Sequence, residues 1–199
     1  MIEPTHQHFK MYKPFGMLSQ LTSNEDRQLR KKRFLSELFD FPEGSMPIGR
    51  LDEKSEGLLL MTTDGKLSDA INRSGVEKEY YAQLDGKITD EAIDQLRLGI
   101  EIGLWGQHYT TKPCKVTKLT KTPTLPDPDK KLRIGTHRPN SWISMTLTEG
   151  KFRQVRKMTA AVGFPTLRLV RVRIGNMLLG DTTVGRVVPI THFDLSTPS

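Results

Sequence analysis

The chain has 199 residues, 36% hydrophobic and 27% charged, which is enough for one sizeable core or one domain with two lobes. No run approaches the ~18 apolar residues of a membrane span. Residues 1–20 lack the basic start, apolar block and cleavage site of a secretory signal, and the lone Cys114 permits no intramolecular disulfide, so a reducing, cytoplasmic setting is expected.

Net charge is +7 and unevenly placed: residues 1–100 carry 14 Lys+Arg against 17 Asp+Glu, and residues 101–199 carry 16 against 6. A basic half favours a polyanionic partner, nucleic acid first, over solubility alone.

Residues 1–8 read as polar and frayed, and His6 and His8, with no carboxylate or thiol beside them, as incidental rather than metal-binding. Phe9–Lys13 alternates as a strand, Pro14-Phe15-Gly16 turns, and Met17–Leu21 is expected to return as a short strand. Arg30-Lys31-Lys32-Arg33 is either an RNA-facing loop or a solvated helix start. The spacing of Phe34, Leu35, Leu38 and Phe39 predicts a short helix, broken at Pro42-Glu43-Gly44-Ser45.

Ile48-Gly49-Arg50-Leu51-Asp52 then places a carboxylate on a polar corner, and Leu58–Thr62 reads as a buried strand. Alone, Arg50 and Asp52 suggest a turn with a surface ion pair. Asp64 caps a helix from about Gly65 to Arg73. Gly65-Lys66 fails as a phosphate loop, because no glycine stands five positions earlier and Leu67 replaces the needed Ser or Thr.

Lys78–Leu84 alternates as a strand. Thr89 caps a helix with Asp90 and Glu91 in its first turn, and Gly99 ends it. Residues 100–120 read as two strands around Trp105-Gly106, with Trp105 as core or edge packing rather than a base-stacking platform. Residues 121–140, with four prolines, read as a loop or mobile arm, and Ser141–Thr148 as a strand. Glu149 to Met158 opens a helix running to about Val162, and Thr166–Ile174 is a strand. From Lys151 to Arg173 there are seven basic residues and no acidic one, a pattern that suits phosphate contact.

Four segments together resemble the RsuA-type pseudouridine synthases: Lys13-Pro14-Phe15-Gly16, Gly49-Arg50-Leu51-Asp52 with Ser55-Glu56-Gly57-Leu58-Leu59, Lys78-Glu79-Tyr80, and Glu149 through Met158. Met158 through Leu169 looks most like that family's large-subunit (23S) rRNA pseudouridine synthase E branch. The resemblance spans roughly residues 9–190. It implies isomerisation of a specific uridine in RNA to pseudouridine, without cofactor or metal. Asp52 matches the family's catalytic aspartate, Tyr80 the tyrosine packed on the target base, and Arg156 the basic partner of the aspartate. Arg50, Arg153, Lys157, Arg168, Arg171 and Arg173 are the expected RNA contacts.

Phe152 departs from the polar residue expected at its position. The matched pattern begins by residue 9, which leaves no room for the accessory N-terminal RNA-binding domain of many relatives. The implied fold is α+β: residues 1–199 as one catalytic domain with a bent, mostly antiparallel sheet, flanking helices and a central cleft. The partner would be ribosomal RNA, of the large subunit, with no DNA or membrane, and the protein a monomer. The alternatives are a non-catalytic RNA-binding or ribosome-assembly protein on this scaffold and, more weakly, a glycosidase, which needs a second carboxylate as acid.

Overall fold

The computed structural model describes residues 6–135 and 138–196, so part of the start expected to fray, and residues 136 and 137 of the proline-rich segment, lie outside the described residues. The chain divides into two compact units, one of residues 1–76 and 171–199, the other of residues 77–170.

In the first unit, β1 (His8–Lys13) pairs antiparallel with β3 (Glu56–Thr62), with Phe9 opposite Met61 and Met11 opposite Leu59. β2 (Met46–Ile48) lies antiparallel on β3. Every residue of β3 is buried, which explains why its sequence is a near-continuous apolar run rather than an alternation. Phe9, Met11, Met17, Leu35, Leu59 and Met61 form one core cluster, with Leu38, Phe41 and Val187 against it. Phe9, Phe39 and Phe41 pack ring to ring with centroids 5.1–5.6 Å apart. The fully buried Phe9 contributes about 1.5–3 kcal/mol by leaving water, and the partly exposed Phe39 and Phe41 less.

α2 (Gly65–Arg73) packs on β2, and the Asp64 carboxylate accepts from Leu67 N, the cap expected from sequence. Two expectations fail here. Met17–Leu21 is no strand: Met17 makes an isolated bridge with Arg33. Nor does the helix centre on Phe34–Phe39. Leu35–Glu37 makes one 3-10 turn, while α1 (Asp26–Lys31) forms just before it without burying a residue. Phe34 and Leu35 are buried and Leu38 packs against the core from an irregular segment, while Phe39 stays partly exposed, so tertiary packing overrides their helical spacing.

In the second unit, β4 (Lys78–Asp85) pairs antiparallel with β8 (Asn140–Leu147), and β8 with β7 (Lys115–Leu119). α3 (Asp90–Leu98) packs on β7, with Thr89 Oγ1 accepting from Ala92 N. Gly99 ends α3 at φ +91, where a Cβ would stand 2.2 Å from the Thr111 carbonyl oxygen, so glycine is required twice over. β5 (Glu101–Leu104) and β6 (Gln107–Thr110) form a hairpin about Trp105-Gly106. Residues 121–135 contain no helix or strand. α4 (Gln154–Ala161) begins later than the sequence suggests, because Arg153 caps it in the left-handed region at φ 53.

β9 (Thr166–Ile174) gives its first five residues to the second unit and its last four to the first. β10 (Met177–Leu178) pairs with β9, and β11 (Val187–Ile190) with β1, both in the first unit. All these named pairs are antiparallel and helices are few, which makes the fold α+β. Among the described residues no helix is long and apolar enough to cross a membrane.

Candidate functional site

Asp52 sits between β2 and β3 on a short segment held at both shoulders. Before it, the buried Ser19 hydroxyl donates to Leu51 O at 2.8 Å and accepts from Leu51 N at 3.0 Å. After it, Gly16 N donates to Glu53 O at 2.8 Å, and Ser55 N donates to Asp52 O at 3.0 Å. Lys32 Nζ adds an ion pair to Glu53 at 2.8 Å. The Pro14-to-Ser19 turn thus acts as a splint, and Gly49 at φ +67 lets the chain enter the corner. Asp52 is half-buried, and among the described residues no hydrogen bond or ion pair engages its carboxylate. The surface ion pair with Arg50 that the stretch alone suggests does not form; Arg50 is exposed.

Beneath this loop lies a buried group of ionisable side chains that the sequence reading left without a role. Lys13 is fully enclosed, and its Nζ donates to Pro14 O at 2.8 Å and Met17 O at 2.7 Å, tying the splint together from inside. Burial lowers its pKa to about 7. Glu56, Asp52 and Glu53 favour the charged form and Arg171 opposes it. Tyr12 OH donates to the buried Glu56 carboxylate at 2.7 Å. The signal for Lys13 was present in Lys13-Pro14-Phe15-Gly16, but a sequence does not reveal that a lysine is enclosed.

Arg171 was expected at phosphate. It is 2% exposed, and its Nε donates to Leu58 O at 2.7 Å. Arg173 is half-buried, with Nη1 donating to Gly175 O at 2.9 Å.

In the second unit, β4 carries Tyr80, 8% exposed and opposite Met145. Arg156 lies half-buried on α4, with Nη1 donating to Thr166 O at 3.2 Å. Arg153 is exposed at the start of α4, and Lys157 Nζ reaches the Gly103 carbonyl of the β5–β6 hairpin. Arg168 also departs from a phosphate-facing position. It is 4% exposed, and its Nη2 donates to Pro126 O at 2.8 Å, pinning the proline-rich segment. Alternation along β9 tells which residues share a face; it does not tell that long cations on both faces are enclosed.

Glu149 is drawn up by burial. Hydrogen bonds from Tyr109 OH, Lys112 N and Gln154, with the Lys151 charge, outweigh that and hold it below the usual carboxylate range. Cys114 donates to Leu96 O at 3.2 Å, and burial pushes its thiol up to about 11, so no thiolate nucleophile stands there at neutral pH. Among the described residues no group of three or more His, Cys, Asp or Glu is placed to hold a metal.

Residues 7–161 match the family described as RNA pseudouridylate synthase. The chain is 41% identical over 169 residues to the "Ribosomal large subunit pseudouridine synthase E" of Xanthomonas axonopodis pv. citri, covering 84% of this chain and 85% of that one. To the protein of the same name from Xanthomonas campestris pv. campestris it is 40% identical over 176 residues, covering 87% and 90%. A solved structure described as a pseudouridylate synthase superposes with a TM-score of 0.72 at 27% identity, covering 93% of this chain and 70% of that one. The chain belongs to the RNA pseudouridylate synthase family, and it is an RNA pseudouridine synthase.

Proposed function

We propose that the chain converts a specific uridine of ribosomal RNA, in the large subunit's 23S rRNA, to pseudouridine, with Asp52 as the catalytic carboxylate. In this reading Tyr80 walls the target base and Arg156 pairs with the aspartate. The reaction keeps every atom: the bond from the ribose C1′ to N1 breaks, a bond from C1′ to C5 forms, and the proton lost at C5 is balanced by one gained at N1. Positive character develops on the ribose as the first bond breaks. A carboxylate answers it by electrostatic stabilisation, by attack, or by taking a sugar proton. The detached uracil must stay, turn and be recaptured, which is the use of an aromatic wall.

The observation that carries the reading is the splinted Asp52: a carboxylate that makes no hydrogen bond or ion pair among the described residues, on a loop whose two neighbours are fixed by Ser19 and Gly16. Pre-fixed geometry is where much catalytic power lies. The names of the Xanthomonas relatives support the large-subunit substrate. Exposed Arg50 and Arg153, with Lys157 and Arg173, take RNA phosphates, which offsets the few kcal/mol needed to extrude a base. Arg168 and Arg171 serve the fold instead.

Pseudouridine mapping of 23S rRNA from cells lacking the gene, complemented with wild type or Asp52→Asn, tests it. Wild type restores one site and Asp52→Asn restores none, while RNA affinity is kept. Restored modification by Asp52→Asn would sink the assignment.

A further inference from the structure

The turn of the β5–β6 hairpin is made by Trp105 and Gly106, with Leu104 opposite Gln107. Both turn residues have positive φ, 52° for Trp105 and 80° for Gly106, as the mirror-image hairpin turn requires. Asparagine, aspartate or glycine takes the first of these places at little cost; a bulky side chain there is a genuine outlier. The strain is not repaid by burial, since Trp105 is 81% exposed, against the expectation that it packs in a core or at an edge. Its ring stacks on Phe152, with centroids 4.9 Å apart and planes 25° from parallel. Phe152 is itself 49% exposed and precedes Arg153, another residue of positive φ.

Two large aromatics held in the open, one on a strained turn, call for a partner that has a flat apolar face and tolerates water around it. The charges nearby name the class. Lys157 Nζ stands 5.3 Å from the Phe152 ring centroid, Lys151 Nζ 4.8 Å from that of Tyr109, and Arg153 is exposed beside them. The hairpin's acidic residue, Glu101, lies at the end away from the turn and is paired with His108. Because Phe152 is shared between Trp105 and Lys157, the open π face is that of Trp105. A protein partner's apolar side chain would not need three cations around it, whereas a nucleobase on its phosphate chain does.

We propose that Trp105 and Phe152 form a stacking platform for an unpaired base of the RNA, outside the pocket of the target uridine, with Lys151, Arg153 and Lys157 serving the adjoining phosphates. The inference rests on the RNA-modifying reading above and adds a single-strand requirement to it. The hairpin turn is the structural means: it lifts one ring clear of the sheet, and the stack on Phe152 fixes its plane.

The test uses the full chain with two probes at one salt concentration, a short labelled oligouridylate and a short RNA duplex, with pseudouridine formation in 23S rRNA alongside. Trp105→Leu and Phe152→Leu keep apolar packing but remove the π face. They weaken oligouridylate binding roughly 5- to 150-fold, the span of one base–aromatic stack, and leave duplex binding unchanged. Trp105→Phe stays close to wild type. Trp emission falls when oligouridylate binds, because the other tryptophan, Trp142, is enclosed. Leucine variants that bind oligouridylate like wild type, or that lose both probes equally, overturn the platform. If they do so while wild type still modifies rRNA, only the platform falls. A wild type that binds neither probe and modifies no uridine overturns the RNA-modifying reading and the platform with it.

Discussion

Ser19→Ala removes one hydroxyl and two hydrogen bonds at once, both to the backbone of Leu51, the residue before Asp52. Ser19 is 6% exposed and Leu51 5%, so water does not readily replace the lost partner. A buried polar group left unmade costs about 1–3 kcal/mol, and two such groups on Leu51 bring the expected loss to about 2–6 kcal/mol, with the lower end favoured by local relaxation. Urea unfolding measures this as a lowered midpoint at an unchanged slope. The catalytic effect is separate. With one shoulder of the splint gone, Asp52 is held only from the Glu53 side, and a shift on the order of 1 Å costs about 100-fold in rate. Single-turnover pseudouridine formation at saturating enzyme therefore falls by one to two orders of magnitude, while the RNA Kd stays put. Ser19→Thr, which keeps the hydroxyl, recovers much of both. A Ser19→Ala protein within about 0.5 kcal/mol of wild type, turning over normally, would refute the idea that this contact positions the loop.

Lys13 makes the stability of the fold pH-dependent. Its folded pKa, about 7, lies below the ordinary 10.5, so between those values the unfolded chain holds the extra proton and the folded one does not. Stability from this group rises with pH across that window, by about 1.4 kcal/mol per unit, and is flat below it. Subtracting the profile of Lys13→Met from that of wild type isolates the slope, and a zero difference would refute the depressed pKa. Gly99→Ala drives a Cβ against the Thr111 carbonyl oxygen at positive φ; a loss of at least about 3 kcal/mol is expected by urea unfolding, and a near-neutral result would mean that the α3–β5 corner relaxes freely.

Local chemistry was legible wherever the deciding partners are close in sequence. Asp64 and Thr89 cap helices because each accepts from a backbone amide three residues on, and Gly99 stops α3 for a reason readable at one position. Alternation placed β1, β4, β8 and β9. What stayed hidden depends on distant partners. Ser19 meets Leu51 across 32 residues, and nothing around Ser19 announces it. Lys13, Arg168 and Arg171 look like surface charge until three dimensions enclose them. Phe34 to Phe39 shows helical spacing although only Phe34 and Leu35 are buried, with Leu38 packed against the core, which an irregular chain achieves as well as a helix. Trp105 erred the other way: hydrophobicity suggested shelter, but a two-residue turn leaves its first residue none. For the site, the sequence located the carboxylate and its corner. The roles of Tyr80 and Arg156 come from the resemblance.

The division of the chain has a consequence for how it is made. The unit of residues 77–170 is contiguous, whereas the other begins before it and is completed after it. On the ribosome, β1 emerges early, but the strand that closes its outer edge, β11, follows some 174 residues later, counted from Lys13 to Val187. At 5–20 residues per second that is a wait of roughly 10–30 s. Throughout it, an edge carrying Phe9 and Met11 has open backbone donors and acceptors, the kind of edge that recruits a neighbouring chain. The contiguous middle unit has the chance to fold first, and the unit that holds Asp52 is completed last. Overproduction that outruns folding is then expected to lose the unit holding the carboxylate before the one holding Tyr80.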